Sequence, residues 1–401
     1  MTIDTTASDL ALGTWKRPAF GVLVVAWGAN MFASVLQTYR GDLSQVQVTS
    51  LYGAYAVGLI PALLITAKIS DRLGRRVALT AGLVLSAAGT LLILASGSAF
   101  GGILAGRILI GVSAGAALAP ATAWIKELSD ASGVAGAGAR RAATALTGGF
   151  ALGPLLSGVI VQWLPSPRPS AYLIHVALAV IGLFLLHATP EPLAPERSSP
   201  DVPESGLREL LTSRLFLGAI VSTAPWVFGA ATTSLAALPV LVSLGSYKAV
   251  GSGVIAALTL GTGILIQPLA QRLGTRSPAL PFRVAMGAVI VGMLVAALAA
   301  WTEWVALLFV TAVVLGSAYG LLLVSGLKLV QAVAPAQHAA MATAVFYALT
   351  YVGFAAPVII PALGNLWSPA TVLVGMAVLG VVSLAATFLA WPRRASAVEI
   401  S

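Results

Sequence analysis

Again and again along this chain a run of roughly twenty apolar residues is followed by a short polar break, and roughly twenty helical residues cross a bilayer core about 30 Å thick. Twelve such runs can be delimited: 19–38, 50–67, 77–95, 101–124, 142–163, 171–187, 215–242, 250–269, 281–300, 304–331, 339–363 and 370–390. Hydrocarbon offers no water to complete backbone hydrogen bonds, so each run is expected to be a helix. Glycine and proline inside the runs do not argue otherwise, since membrane helices tolerate both. Only 9% of the residues are charged and 58% are hydrophobic, whereas soluble domains carry about a quarter charged residues. A soluble fold of this length could not cover its surface.

The basic residues test the count. With both termini in the cytoplasm, all of the 22 lysines and arginines except Arg40, Arg168, Lys248 and Arg107 fall on the inner side. That asymmetry is what the positive-inside rule predicts. It also accounts for the net charge of +9 without nucleic acid, which is not expected as a partner. The chain has no cysteine, and its three histidines (His175, His187, His338) are scattered, so neither a metal site nor a cofactor is expected. Lys16 and Arg17 precede a first run without a small-residue cleavage pattern, which reads as a retained span.

The longest polar stretch, TPEPLAPERSSPDVPESGLRELLTSR, separates six runs from six. Its proline, serine and glutamate content predicts a linker, with a short surface helix near Leu207–Leu211. The expected organisation is an N-terminal six-helix bundle (1–188), a cytoplasmic linker (189–213) and a C-terminal six-helix bundle (214–401). The halves repeat. LITAKISDRLGRR finds ILIQPLAQRLGTR, IGVSAG (from Ile110) finds LGSAYG (from Leu315), and ALTGGFALGP (from Ala145) finds ALTYVGFAAP (from Ala348).

Three local patterns stand out. AKISDRLGRR (67–76) lies between two apolar runs: Gly74 permits a tight turn, Asp71 can accept helix N–H groups, and Arg72, Arg75 and Arg76 can pair with carboxylates or helix C-terminal carbonyls. The plainer reading is a positive-inside loop. Arg107 lies within the fourth run, where a charge costs several kcal/mol and is a functional hypothesis by default; snorkelling to the outer surface is the competing account. GGFALGPLLSG (148–158) spaces Gly149, Gly153 and Gly158 around Pro154, which suits close helix approach and a bend, although small residues four apart also occur in ordinary packing.

Together these residues resemble the major facilitator superfamily over nearly the whole chain, and within it the twelve-helix drug:proton antiporter branch. The family's loop between helices 2 and 3 is usually G-x-x-x-D-R-x-G-R-R, with Ala67 here in place of glycine. Arg107, Gly111 and Gly115 resemble its helix-4 motif, with Ile110 where glutamine is frequent. Residues 149–158 resemble its helix-5 antiporter motif, with Ser157 for a glycine. The resemblance implies an all-α polytopic fold of two pseudo-symmetric six-helix bundles around a cavity, with Asp71, Arg72, Gly74, Arg75 and Arg76 as a conformational latch. It implies a seam between bundles at the helix-5 motif, with the glycines of helix 8 as partner.

In this fold helices 1, 4, 7 and 10 line the cavity. Candidate substrate contacts are therefore Trp27, Asn30, Gln37, Ser113, Trp226 and Tyr319, joined by Tyr347 and Tyr351 of helix 11; the plainer reading has the aromatics facing lipid. So thin a polar set suits a hydrophobic or amphipathic small molecule better than a sugar. Protons are the coupling ion the resemblance implies. No carboxylate lies mid-span, so the proton-site candidates are Asp42, Asp71 and Glu127, each needing a burial-raised pKa. The reading is an exporter, expected to be a monomer in a bacterial-type cytoplasmic (inner) membrane. The alternative within transport is a metabolite uptake carrier or facilitator without proton coupling. A membrane enzyme would need a nucleophile with its base or a metal cluster, and a sensor an appended soluble domain; the sequence offers neither.

Overall fold

The computed structural model describes residues 14–130, 137–187, 189, 205–334, 339–364 and 366–391, excluding the side chains of 67–73, 130, 137, 139, 205–207 and 339–340; the described backbone is helical apart from short turns. Twelve helices are long and apolar enough to cross a membrane: α1 (Lys16–Tyr39), α2 (Gln45–Thr66), α3 (Arg75–Ala95), α4 (Phe100–Ser129), α5 (Arg140–Trp163), α6 (Pro167–His187), α7 (Phe216–Leu241), α8 (Gly245–Arg276), α9 (Leu280–Thr302), α10 (Ala306–Val333), α11 (Met341–Leu363) and α12 (Pro369–Ala390). All twelve expected runs are present. Several helices overrun the apolar run that nucleates them, because helix hydrogen bonding continues into the polar interface. At the start of α2, Ser44 and Gln47 form a reciprocal capping box. A short helix, Ser205–Thr212, precedes α7.

The chain divides into two compact units, Met1–Ser198 and Ser199–Ser401. In the first, α4 packs along α2 and α3, α1 lies against α4, α5 and α6, and α6 also packs on α3. In the second, α10 packs along α8 and α9, α7 lies against α10, α11 and α12, and α12 also packs on α9. The second unit thus repeats the first helix for helix. α1 and α7 are the most enclosed, with 89% and 83% of their apolar windows buried, against 33% and 28% for α6 and α12. The outer helices turn large apolar side chains outward, as Leu173, Val180 and Phe184 do on α6 and Val378, Val382 and Leu389 on α12. Such a surface is stable only against lipid.

The matched segments of the two halves have a common packing basis. On α4, a β-carbon at Gly111 would stand 2.0 Å from the Tyr55 carbonyl oxygen of α2, and one at Gly115 2.4 Å from that of Leu59. On α10, Gly316 and Gly320 meet the carbonyl oxygens of Thr259 and Gly263 of α8 in the same way, at 2.3 and 2.0 Å. Both seams bring backbones into contact where any side chain would part them.

The segments following α2 and α8 differ. Helix continues from α2 to Leu73, so the expected loop reduces to one residue, Gly74, at φ 80° and ψ 150°. α3 starts at Arg75. Its counterpart Gly274 lies inside a helical segment, Gln267–Arg276, and makes no such turn.

Candidate functional site

Arg107 is fully buried on α4. Its Nε donates to the Leu51 carbonyl oxygen (3.0 Å), and its terminal nitrogens donate to those of Ala29 (3.1 Å) and Tyr52 (3.3 Å). The guanidinium carbon stands 4.6 Å from the ring centre of Phe32, 5.3 Å from Tyr55 and 5.7 Å from Tyr52. Each charge-assisted hydrogen bond is worth about 1.5–3 kcal/mol and each desolvated ring contact about 1–2 kcal/mol. Together they offset the several kcal/mol that burying an ion costs. Snorkelling is excluded: the head group turns inward and ties α4 to α1 and α2.

The helix-5 motif faces α1 of its own unit. A β-carbon at Gly149 would lie 2.4 Å from the Leu23 carbonyl oxygen, and one at Gly153 2.9 Å from the Cα of Trp27. These two glycines seat α5 on α1 within the first unit. Gly158 is buried further along α5. Pro154 lacks an N–H, which frees the carbonyl of Phe150 four residues earlier, and the Asn30 side-chain amide donates to it at 3.4 Å. Ser34 Oγ donates to the Pro154 carbonyl (2.6 Å), and Trp27 Nε1 donates to Ser157 Oγ (3.1 Å). The serine replacing a motif glycine is therefore the partner of an α1 tryptophan.

At the inner end of this unit Arg75 pairs with Glu127 (3.5 Å). Arg76 donates to the carbonyl of His187, the last residue of α6, where helix dipole and orphan carbonyls favour a cation. The side chains of Asp71 and Arg72 lie outside the described residues. At the outer end Asp42 pairs with Arg168 (2.6 Å) and accepts from Ser98 Oγ (2.6 Å). The Ser98 hydrogen bond and the Arg168 guanidinium hold its carboxyl below the usual carboxylate range. A proton carrier needs a raised value, so Asp42 is corrected as a proton site. Glu127 is engaged in its ion pair with Arg75.

In the second unit Phe228 of α7 stacks on Tyr351 (4.8 Å between ring centres, 14° between planes) and meets Tyr319 of α10 at 5.7 Å and Phe354 at 5.2 Å. Tyr347 pairs instead with Phe346 (5.7 Å). α7 widens into π-helical turns at Phe216–Val221 and Thr233–Ala237, beside Pro225 and Pro239, whose missing N–H groups the wider turns accommodate. Pro357 on α11 frees the Gly353 carbonyl, and Thr232 Oγ1 donates to it at 3.1 Å. Trp226 Nε1 donates to Ser383 Oγ of α12 (2.9 Å).

Of the candidate substrate contacts, the structure thus gathers Tyr319 and Tyr351 around Phe228. Trp27, Asn30 and Trp226 are spent on bonds between helices. Gln37 is buried and accepts from Arg40 at 3.4 Å. Ser113 is corrected: it is fully buried and donates to the Gly82 carbonyl of α3 (2.7 Å), away from any open face of α4. His175, dismissed above as scattered, is fully buried on α6 between α1 and α3. The signal for it was the series Arg168, Tyr172, His175, which places three polar residues on one face of an apolar helix. Among the described residues no group of three or more His, Cys, Asp or Glu side chains could hold a metal.

A family model described as Major Facilitator Superfamily matches residues 19–356. Curated relatives include a triacylglyceride transporter of Mycolicibacterium smegmatis, 32% identical over 39% of this chain and 27% of the relative. Another is the multidrug resistance protein MdtL of Escherichia coli, 31% identical over 50% of this chain and 51% of the relative. The chain spans about half the length, or less, of these relatives. Among solved structures it is similar in fold to the nucleoside transporter NupG, with a TM-score of 0.74 at 14% identity over 96% of this chain and 100% of that one. A D-xylose–proton symporter matches with a TM-score of 0.68 at 18% identity over 94% and 96%. The family match runs through the first unit and into the eleventh span, and on that basis the chain belongs to the Major Facilitator Superfamily and is a multi-pass membrane protein.

Proposed function

We propose that this protein is a secondary active exporter that moves hydrophobic or amphipathic small molecules by alternating access in exchange for protons. The observation that carries the reading is how the polar side chains of the innermost helices are spent. Trp27, Asn30, Ser34, Trp226 and Thr232 each bond within their own unit, while Phe228, Tyr319, Tyr351 and Phe354 form an aromatic surface. A sugar or organic anion would leave its polar groups unpaired there, at about 1–3 kcal/mol each. An apolar solute would not. The likeness to MdtL over half the chain points the same way.

In this reading Asp71, Arg72, Gly74, Arg75 and Arg76 form the latch, with Arg75 and Arg76 anchored on α4 and α6. The distribution of basic residues supports a cytoplasmic (inner) membrane location with both termini cytoplasmic, and the functional unit is a monomer. The second reading, a facilitator without proton coupling, draws on the ion pairs that occupy Asp42 and Glu127. The test is purified protein in liposomes with ethidium as probe, with and without an imposed pH gradient. Ethidium driven by the gradient, and absent from protein-free vesicles, supports exchange. Equilibration indifferent to pH selects the facilitator, and no movement removes lipophilic cations as substrates.

A further inference from the structure

The carboxylates first considered as proton carriers are either paired or outside the described side chains, yet a titratable ring lies deep in the first unit. Every hydrogen bond of His175 can be assigned. Its Nε2 stands 3.3 Å from the Val24 carbonyl oxygen of α1. A carbonyl only accepts, so Nε2 carries the hydrogen. Its Nδ1 stands 3.0 Å from Thr90 Oγ1 of α3, and Ser86 Oγ lies 3.5 Å from Nε2. In the neutral ring Thr90 donates to Nδ1. A second proton on Nδ1 reverses that bond, because a hydroxyl accepts as readily as it donates. The pocket therefore offers Nδ1 a partner whether the ring carries one proton or two.

Room for the ring comes from α1. A β-carbon at Gly28 would fall 2.4 Å from His175 Nε2 and 2.7 Å from Ser86 Oγ. The packing of α1 against α3 and α6 and the state of the imidazole are consequently one structural event.

The pocket is also linked to the outer face. One and two turns before His175 on the same side of α6 lie Tyr172 and Arg168. The Tyr172 hydroxyl is 2.9 Å from that of Tyr39 on α1. Arg168 lies 4.1 Å from the Tyr39 ring centre and pairs with exposed Asp42. These are the titratable and charged groups facing the pocket from α1 and α6; α3 and α5 present none there, and these four spans contain no carboxylate. A proton on His175 would thus be an uncompensated charge as long as α1 stays packed. Proton uptake and separation of α1 from α3 and α6 then favour one another by linkage.

We infer that His175 is the proton-carrying residue of the transport cycle, loaded along the α6 stripe when α1 draws away and discharged when α1 repacks on Gly28. This rests on the proton exchange proposed above. The assay is ethidium movement in liposomes, with a trapped pH dye reporting proton flux and ethidium counterflow as the reference rate. Gln at position 175 can still donate to the Val24 carbonyl, and it cannot titrate. His175→Gln is expected to lower the gradient-driven rate at least tenfold relative to counterflow and to abolish the linked proton flux. In Gly28→Ala, which displaces the ring, the midpoint of the rate-against-pH curve is expected to move by at least half a unit. Coupled flux that persists in His175→Gln, or an unmoved midpoint in Gly28→Ala, overturns the assignment and leaves the exporter reading intact. Wild-type protein that moves ethidium with no proton flux overturns the exchange itself and this assignment with it. Should His175→Gln fail to fold, the Gly28→Ala midpoint decides.

Discussion

Adjacent glycines on α5 offer a sharp test of how the first unit is held together. A β-carbon at Gly149 would stand 2.4 Å from the Leu23 carbonyl oxygen and 2.6 Å from Ala26 Cβ, whereas one at Gly148 would meet nothing within 4 Å. Ordinary contact is about 3.5–4.0 Å, so Gly149→Ala forces α1 and α5 about 1 Å apart. Overpacking of that kind costs about 1–3 kcal/mol. Gly148→Ala faces no clash and gains up to about 1 kcal/mol of helix propensity. Gly149→Ala gains the same propensity, so the two substitutions, identical in chemistry and one residue apart, should differ by the clash alone, about 1–3 kcal/mol. In a unit of this size each kcal/mol moves the unfolding midpoint by about 2–4 °C, so their midpoints should differ by about 2–12 °C. Thermal unfolding followed by tryptophan fluorescence in detergent measures this, with Trp27 at the seam as reporter. Midpoints within about 1 °C of each other would mean that α5 does not lie on α1 as described.

Three further outcomes are expected. Arg107→Met should keep the protein folded, since replacing a buried ion by an apolar side chain of like length is often neutral, but should slow ethidium transport in liposomes at least tenfold; full activity would reduce Arg107 to packing. Asp42 is ionised more readily in the folded protein than in the unfolded chain, so its clamp is fully present above the ordinary carboxylate value near 4 and is lost as pH falls through the lower folded value. Asp42→Asn should therefore flatten the acid limb of the unfolding temperature plotted against pH, and a curve parallel to wild type would count against the clamp. Asp71→Asn should leave expression unchanged and slow turnover of purified protein, and unaltered turnover would remove Asp71 from the latch.

Sequence alone went far on the fold because the bilayer imposes a length on every helix and a sign on every loop. Twelve runs, two halves and the matched glycine segments could all be read before any coordinates. Rotation about each helix axis could not. Lipid is as apolar as the interior, so a span such as α4 is hydrophobic all round, and nothing in its composition says that Ser113 turns to Gly82 or that Arg107 turns to Leu51. The contact of the helix-5 motif with α1 was missed for the same reason. Small residues announce a close approach without naming the helix that makes it. His175 escaped attention because a lone imidazole acquires meaning only from what surrounds it, and Gly28, Ser86, Thr90 and Val24 come from two other spans.

One detail of the repeat has a consequence for how such a chain can diverge. In the first unit Pro154 strands the carbonyl of Phe150 and an asparagine amide answers it; in the second Pro357 strands that of Gly353 and a threonine hydroxyl answers it. Neither the stranded residue nor the answering one is the same in the two halves. What survived duplication is an acceptor in want of a donor, a debt that any short polar side chain at that height on α1 or α7 can discharge. Side-chain identity at these positions is therefore free to drift, and the bend that creates the need is not. A comparison scored by residue identity would pass over both sites, although they are among the points where the two halves are most alike.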